Sequence, residues 1–145
     1  MDKFQKILKK NKYKKIPFKV SKTQHLLVKA SINGVKGNFI LDTGASNSCV
    51  GYESVLKFNL IAKDSHNKAS GAGGNGFSTQ LSKKNKLKLG TWKNKEFNLV
   101  IFDMSHVNVA LTQFKAKPVD GILGADILIQ GKSIIDYYNF CFYLQ

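Results

Sequence analysis

An all-β barrel or sandwich is the fold class that this sequence predicts. Three observations carry the prediction: many short apolar runs, glycine-bearing turns between them, and little helical periodicity. Ten Phe and five Tyr against two Pro suit a strand-rich globule. At 145 residues and 43% apolar, the chain has the size of one domain and the means to bury its core.

Residues 1–15 form a basic N-terminal extension, ahead of a domain over residues 16–145. The extension fits either a short amphipathic helix, with Phe4, Ile7 and Leu8 to one side, or a frayed tail. Residues 25–32 read as a strand, and Asn33-Gly34 is a strong hairpin signal. The return strand Asn38-Phe39-Ile40-Leu41 runs straight into Asp42. Ser48-Cys49-Val50 is short and extended, and residues 53–60 fit a helical turn or two. Residues 69–76 hold four glycines in eight positions, followed by the strand-like Phe77, Thr79 and Leu81. Further strands are expected at residues 86–89, before a turn at Gly90, and at residues 95–102. The apolar run 119–123 precedes a short helix beginning near Ala125, and residues 133–137 and 140–144 read as two closing strands.

The charge is +14, and all 23 basic residues are lysines. Seven crowd the first fifteen positions, and Lys83, Lys84, Lys86 and Lys88 make a second cluster. Without arginine the chain lacks the planar fork that reads guanine edges and grips phosphates bidentately, and no nucleic-acid motif accompanies the lysines. The charge therefore implies no specific nucleic-acid partner, only non-specific contact with anionic surfaces through the N-terminal lysines. Cys49 and Cys141 are too few for a disulfide framework and are expected to be reduced. His25, His66 and His106 are scattered, so neither a metal site nor a cofactor is expected. No apolar run reaches the ~20 residues that span a bilayer, and no secretory signal is visible. A cytoplasmic location is the resulting expectation.

The chemistry points to Asp42-Thr43-Gly44-Ala45-Ser46. A strand that ends in this run delivers a carboxylate to the floor of a cleft. Gly44 permits a tight loop whose backbone N–H groups approach the acid, and Thr43 can turn its hydroxyl towards a neighbouring loop. About 80 residues later Gly121-Ile122-Leu123-Gly124-Ala125-Asp126 repeats an apolar strand ending in glycine. An isolated Asp-Thr-Gly is ordinary turn chemistry; the apolar lead-in and the distant echo raise it above that. The other acids lack the Thr-Gly continuation, and Asp120 and Asp126 read as a turn residue and a helix-end contact.

On these residues the sequence resembles the retropepsin-like aspartic peptidases, single-domain relatives of pepsin and the retroviral proteases, over about residues 26–144. The resemblance implies a closed, barrel-like retropepsin fold with one short helix after Ile122-Leu123-Gly124, acting as a two-fold homodimer. It implies that Asp42 is catalytic, that Thr43, Gly44 and Ala45 support its loop, and that the glycine-rich segment 71–76 is a flap over substrate. Gly73, Gly74, Phe77 and Ile122, with Val50 beside them, are the expected substrate contacts, and the final strand is expected at or near the dimer interface. The flap lacks the Ile-Gly-Gly-Ile-Gly core of retroviral relatives.

The implied function is an aspartic endopeptidase acting on extended polypeptides through an Asp42 pair, one from each copy, and an activated water. One chain holds one such acid, and a symmetric dimer supplies the second. Ala45 has no hydroxyl to favour the charged carboxylate, which points to a pH optimum less acidic than that of pepsin-like enzymes. The alternative is a catalytically silent dimerisation or peptide-binding module of the same fold.

Overall fold

A computed structural model of the chain describes residues 1–71 and 74–145, with side chains for all of these but residues 65–78. Among the described residues, eleven strands and three α-helices follow one another. Helix α1 (Lys3–Lys10) precedes β1 (Lys14–Pro17), β2 (Lys19–Val20), β3 (Leu26–Ile32) and β4 (Val35–Leu41). Then come β5 (Cys49–Gly51), a 3-10 turn at Tyr52–Ser54, β6 (Lys63–Gly71), β7 (Gly74–Leu89) and β8 (Trp92–Phe102). Helix α2 (Ser105–Gln113), β9 (Gly121–Leu123), α3 (Ala125–Gln130), β10 (Ile134–Asp136) and β11 (Cys141–Leu144) complete the order.

The main sheet runs β2-β3-β4-β9-β5-β8-β7-β6, and β3 also pairs with β7. That last pairing closes β3, β4, β9, β5, β8 and β7 into a barrel, the all-β architecture that the sequence predicts. Alternation dictates what fills it. Strand β3 buries Leu26, Val28, Ala30 and Ile32 and turns the residues between them outward. They join Phe39, Leu41, Val50, Leu87, Leu99 and Leu123 in the main core. Residues 33 and 34 both take positive φ, +52° and +84°. That conformation matches the twist of the β3–β4 hairpin, and Asn-Gly adopts it at low cost.

A second apolar cluster, with Ile40, Cys49, Met104, Leu111 and Ile122, packs α2 against the outer side of β5 and β9. The sequence did not announce α2, whose apolar residues hold no clear helical stripe and whose N-terminus has no side-chain cap. It forms because packing of Leu111, 1% exposed, outweighs propensity.

The chain's two ends meet in a separate sheet ordered β1-β11-β10. Pro17 lies opposite Cys141, and Lys14 opposite Leu144. On one face β11 gives Phe142 and Leu144 to the main core, and on the other Cys141 and Tyr143 pack against Leu8 of α1. Residues 3–10 are therefore a docked helix and not a frayed tail. It starts with a capping box: Asp2 Oδ1 accepts the Gln5 N–H at 2.7 Å and Gln5 Oε1 accepts the Asp2 N–H at 3.2 Å. The final strand, expected at or near the dimer interface, is part of this single-chain sheet. Both edges of β11 are paired and all four of its residues are buried within one chain.

Candidate active site

Parallel pairing of β4 with β9 builds the site. The register matches Phe39 with Gly121, Ile40 with Ile122 and Leu41 with Leu123. The two similar sequence segments thus lie side by side, and the next residues, Asp42 and Gly124, emerge together at one end of the barrel. Asp42 N–H donates to the Leu123 carbonyl at 2.9 Å, which carries the ladder one residue beyond the strands.

Around Asp42 the chain turns tightly. Gly44 N–H donates to Asp42 Oδ1 at 2.8 Å, and Ala45 N–H donates to the Asp42 carbonyl at 3.2 Å. Oδ2 meets no donor among the described residues, so the carboxylate is anchored through one oxygen and open at the other. Thr43 and Gly44 are exposed and Ala45 is half-buried. The Thr43 hydroxyl has no partner among the described residues of the single chain.

A brace behind this loop was not anticipated from the sequence. Ser48, fully buried, donates its hydroxyl to Asp126 Oδ1 at 2.7 Å and its N–H to Asp126 Oδ2 at 2.9 Å. The same hydroxyl oxygen accepts the Gly124 N–H at 2.8 Å, and Ala125 N–H donates to the Ala45 carbonyl at 2.7 Å. Asp126 also accepts the N–H of Ile127 in the first turn of α3, where a negative charge suits the helix dipole. The helix-end role read for it is therefore joined by a second task, clamping α3 to the Asp42 loop. A serine just ahead of the buried strand β5 and an acid one residue into a helix were the available signals.

Asp120 does more than end a turn. Its carboxylate accepts the Asn38 N–H and the Ser54 hydroxyl, both at 2.9 Å, and pairs with Lys57 at 2.9 Å. It pins three segments at the start of β9, the end away from Asp42. The small recess lined by Tyr52, Glu53, Asp103 and Asp120 lies at that end too.

The expected substrate contacts are distributed unevenly. Gly73 and the side chain of Phe77 lie outside the described residues; Gly74 opens β7 opposite Gly71, and its surroundings lie outside them as well. Ile122 is 4% exposed among Ile40, Cys49 and Met104, and Val50 is fully buried in the main core. A reading that puts these two on an open cleft wall meets core side chains instead, because β5 and β9 are covered on both faces. Cys49, opposite Ile122 in the register, is buried, and its thiol is pushed up to about 12, first by that burial and then by the charges of Asp126 and Asp42. Among the described residues no cluster of His, Cys, Asp or Glu is fit to hold a metal ion, and no helix is long and apolar enough to cross a membrane.

Solved structures share the fold. A retropepsin-like aspartic protease from Rickettsia conorii superposes with a TM-score of 0.62 at 17% identity, over 91% of each chain. The retroviral protease-like domain of Ddi1 from Leishmania major gives 0.59 at 17% identity, over 88% of this chain and 90% of that one. EIAV protease, solved with the inhibitor HBY-793, gives 0.52 at 21% identity, over 71% of this chain and 84% of that one. No curated protein sequence matches the chain. The aspartyl protease family model matches residues 28–127, a span that holds the Asp42 loop, Ser48 and the Gly124–Asp126 turn. With the retropepsin-like barrel and this loop in place, that match settles the family: the chain belongs to the aspartyl proteases.

Proposed function

We propose that the protein is an aspartic endopeptidase working as a two-fold homodimer, with one Asp42 from each copy forming the catalytic pair. The observation that carries this reading is the Asp42 carboxylate, held by Gly44 through Oδ1 and, among the described residues, open at Oδ2. A two-fold axis past the loop brings that open side against its copy. Two carboxylates about 3 Å apart do not both ionise, so the pair shares one proton. The charged member takes a proton from a water, whose oxygen attacks the scissile carbonyl carbon. The protonated member meanwhile donates to the carbonyl oxygen. On collapse of the tetrahedral adduct the C–N bond breaks, and the newly protonated Asp42 gives its proton to the departing amine. The other Asp42 takes a proton from a hydroxyl of the adduct, which leaves a carboxylic acid and restores the shared proton. The chemistry so written needs no cofactor and no covalent intermediate.

Thr43, Gly44 and Ala45 act as positioning residues in this scheme, and the unpartnered Thr43 hydroxyl is available to the neighbouring loop of the second copy. The substrate is an extended polypeptide lying as a strand over the loop. Gly73, Gly74 and Phe77 are the proposed contacts to it, with Ile122 supporting them from the core.

Asp42→Asn tests the proposal, since it keeps the side chain's shape and removes its charge. Peptide cleavage is expected to fall at least about a thousandfold while dimerisation and Tm are retained. Equal cleavage by the variant would sink the catalytic assignment. A chain that dimerises yet cleaves nothing in a peptide library from about pH 4 to about pH 8 would instead be a silent binding module.

A further inference from the structure

Helix α1 leaves apolar surface uncovered in an unusual setting. Its inner face buries Gln5 and Leu8 against β11, whereas Phe4 and Ile7, three residues apart on one flank, stay 47% and 58% exposed. The Phe4 ring is held edge-on to Tyr143 with centroids 6.5 Å apart, so the flank is a fixed part of the surface. Asn139 Nδ2 donates to Asp2 Oδ2 at 3.0 Å, which ties the turn between β10 and β11 to the start of the helix. That turn adds Tyr138, 88% exposed, and Phe140, 55% exposed.

The charge beside this apolar strip is mostly positive, with Asp2 at the helix cap and Asp136 at the end of β10 as the neighbouring acids. Lys3, Lys6, Lys9 and Lys10 occupy the rest of α1, which holds no acid, and Lys12, Lys14 and Lys15 follow directly. Among the described residues the only ion pair is Lys57–Asp120, and none of these lysines takes part in one. Aromatic and aliphatic side chains flanked by flexible ammonium groups suit a boundary between water and hydrocarbon. The ammonium groups reach anionic headgroups while Phe4, Ile7 and Tyr138 enter the interface. A nucleic acid would engage the lysines and leave Phe4 and Ile7 without a role. A second copy docked on this face would set the α1 lysines of one chain against those of the other.

We propose that α1 and the adjoining turn dock the protein on anionic lipid bilayers, with Phe4, Ile7 and Tyr138 inserted and the α1 lysines on the headgroups. The Asp42 pair has no part in this docking.

Co-sedimentation of the full chain with vesicles tests it, comparing phosphatidylglycerol mixed into phosphatidylcholine with phosphatidylcholine alone. Binding is expected only with the anionic lipid and is expected to weaken as salt rises. Phe4→Ser with Ile7→Ser should weaken it about tenfold, and Lys6→Gln with Lys10→Gln about fivefold per lysine. Because Phe4 touches Tyr143, Ile7→Glu alone and Tyr138→Ser alone serve as variants that leave the core untouched; each should also weaken binding at unchanged Tm. Four results would overturn the proposal. They are equal binding to both vesicle types, unchanged binding by all the apolar variants, preferred binding to duplex DNA with no dependence on Ile7, and dissociation of a protein dimer by Ile7→Glu.

Discussion

Gly124 lies so close to the Ala45 carbonyl that a Cβ there would overlap backbone on the neighbouring loop. Flexible side chains yield to such crowding, but backbone held by Ser48 and Asp126 does not. Gly124→Ala is therefore expected to cost about 2–4 kcal/mol in urea unfolding and to displace the Asp42 loop. Cys49, beneath the same loop, makes a second prediction. Its thiol is raised from 9.0 to about 12, so the folded state favours the neutral form. The resulting stability is complete below 9.0 and is lost as pH climbs from there towards 12. Cys49→Ala should flatten that part of the stability–pH curve, and the wild-type thiol should resist alkylation at neutral pH. The Asp-Thr-Gly-Ala run and its apolar lead-in made Asp42 legible without coordinates. Ser48 stayed hidden because its importance comes from three hydrogen bonds formed across 76 to 78 residues of sequence.

At the scale of elements, alternation and turn chemistry expose most strands. Asn33-Gly34 and Gly90 mark the hairpins β3–β4 and β7–β8, and Ile122-Leu123-Gly124 marks the approach to α3. Helix α2 escaped notice because tertiary packing, not periodicity, holds it. Lysine spacing on α1 allowed both a helix and a tail, and only the docking of Leu8 on β11 decides between them. Leu8→Ala should consequently cost about 2–3 kcal/mol. Amide exchange would report it as faster exchange in α1 and β11, with β3 and β4 little changed. Equal acceleration throughout the chain would mean that α1 and the barrel open as one unit.

The whole molecule carries a surplus of fourteen positive charges, and a homodimer would hold two such surfaces together. At about 0.01 M salt the screening length is about 30 Å, and by about 1 M it has shrunk to about 3 Å. Added salt should therefore tighten the proposed dimer several-fold, read by sedimentation equilibrium, with a matching rise in activity at fixed dilute protein. A dimer weakened by salt would place attractive charge pairs at its interface instead. The order of strands gives the same lysines a further meaning. Among the described residues, β1, β2, β6 and β10 stand at the ends of the two sheet orders. Strand β1 presents Lys14 and Lys15, β2 presents Lys19, β6 begins with Lys63, and β10 ends in Asp136. An unpaired strand invites a foreign strand to add to it, and a charge there opposes that addition. A chain so rich in strands thus carries charge against sheet-by-sheet aggregation at the ends of both its sheets.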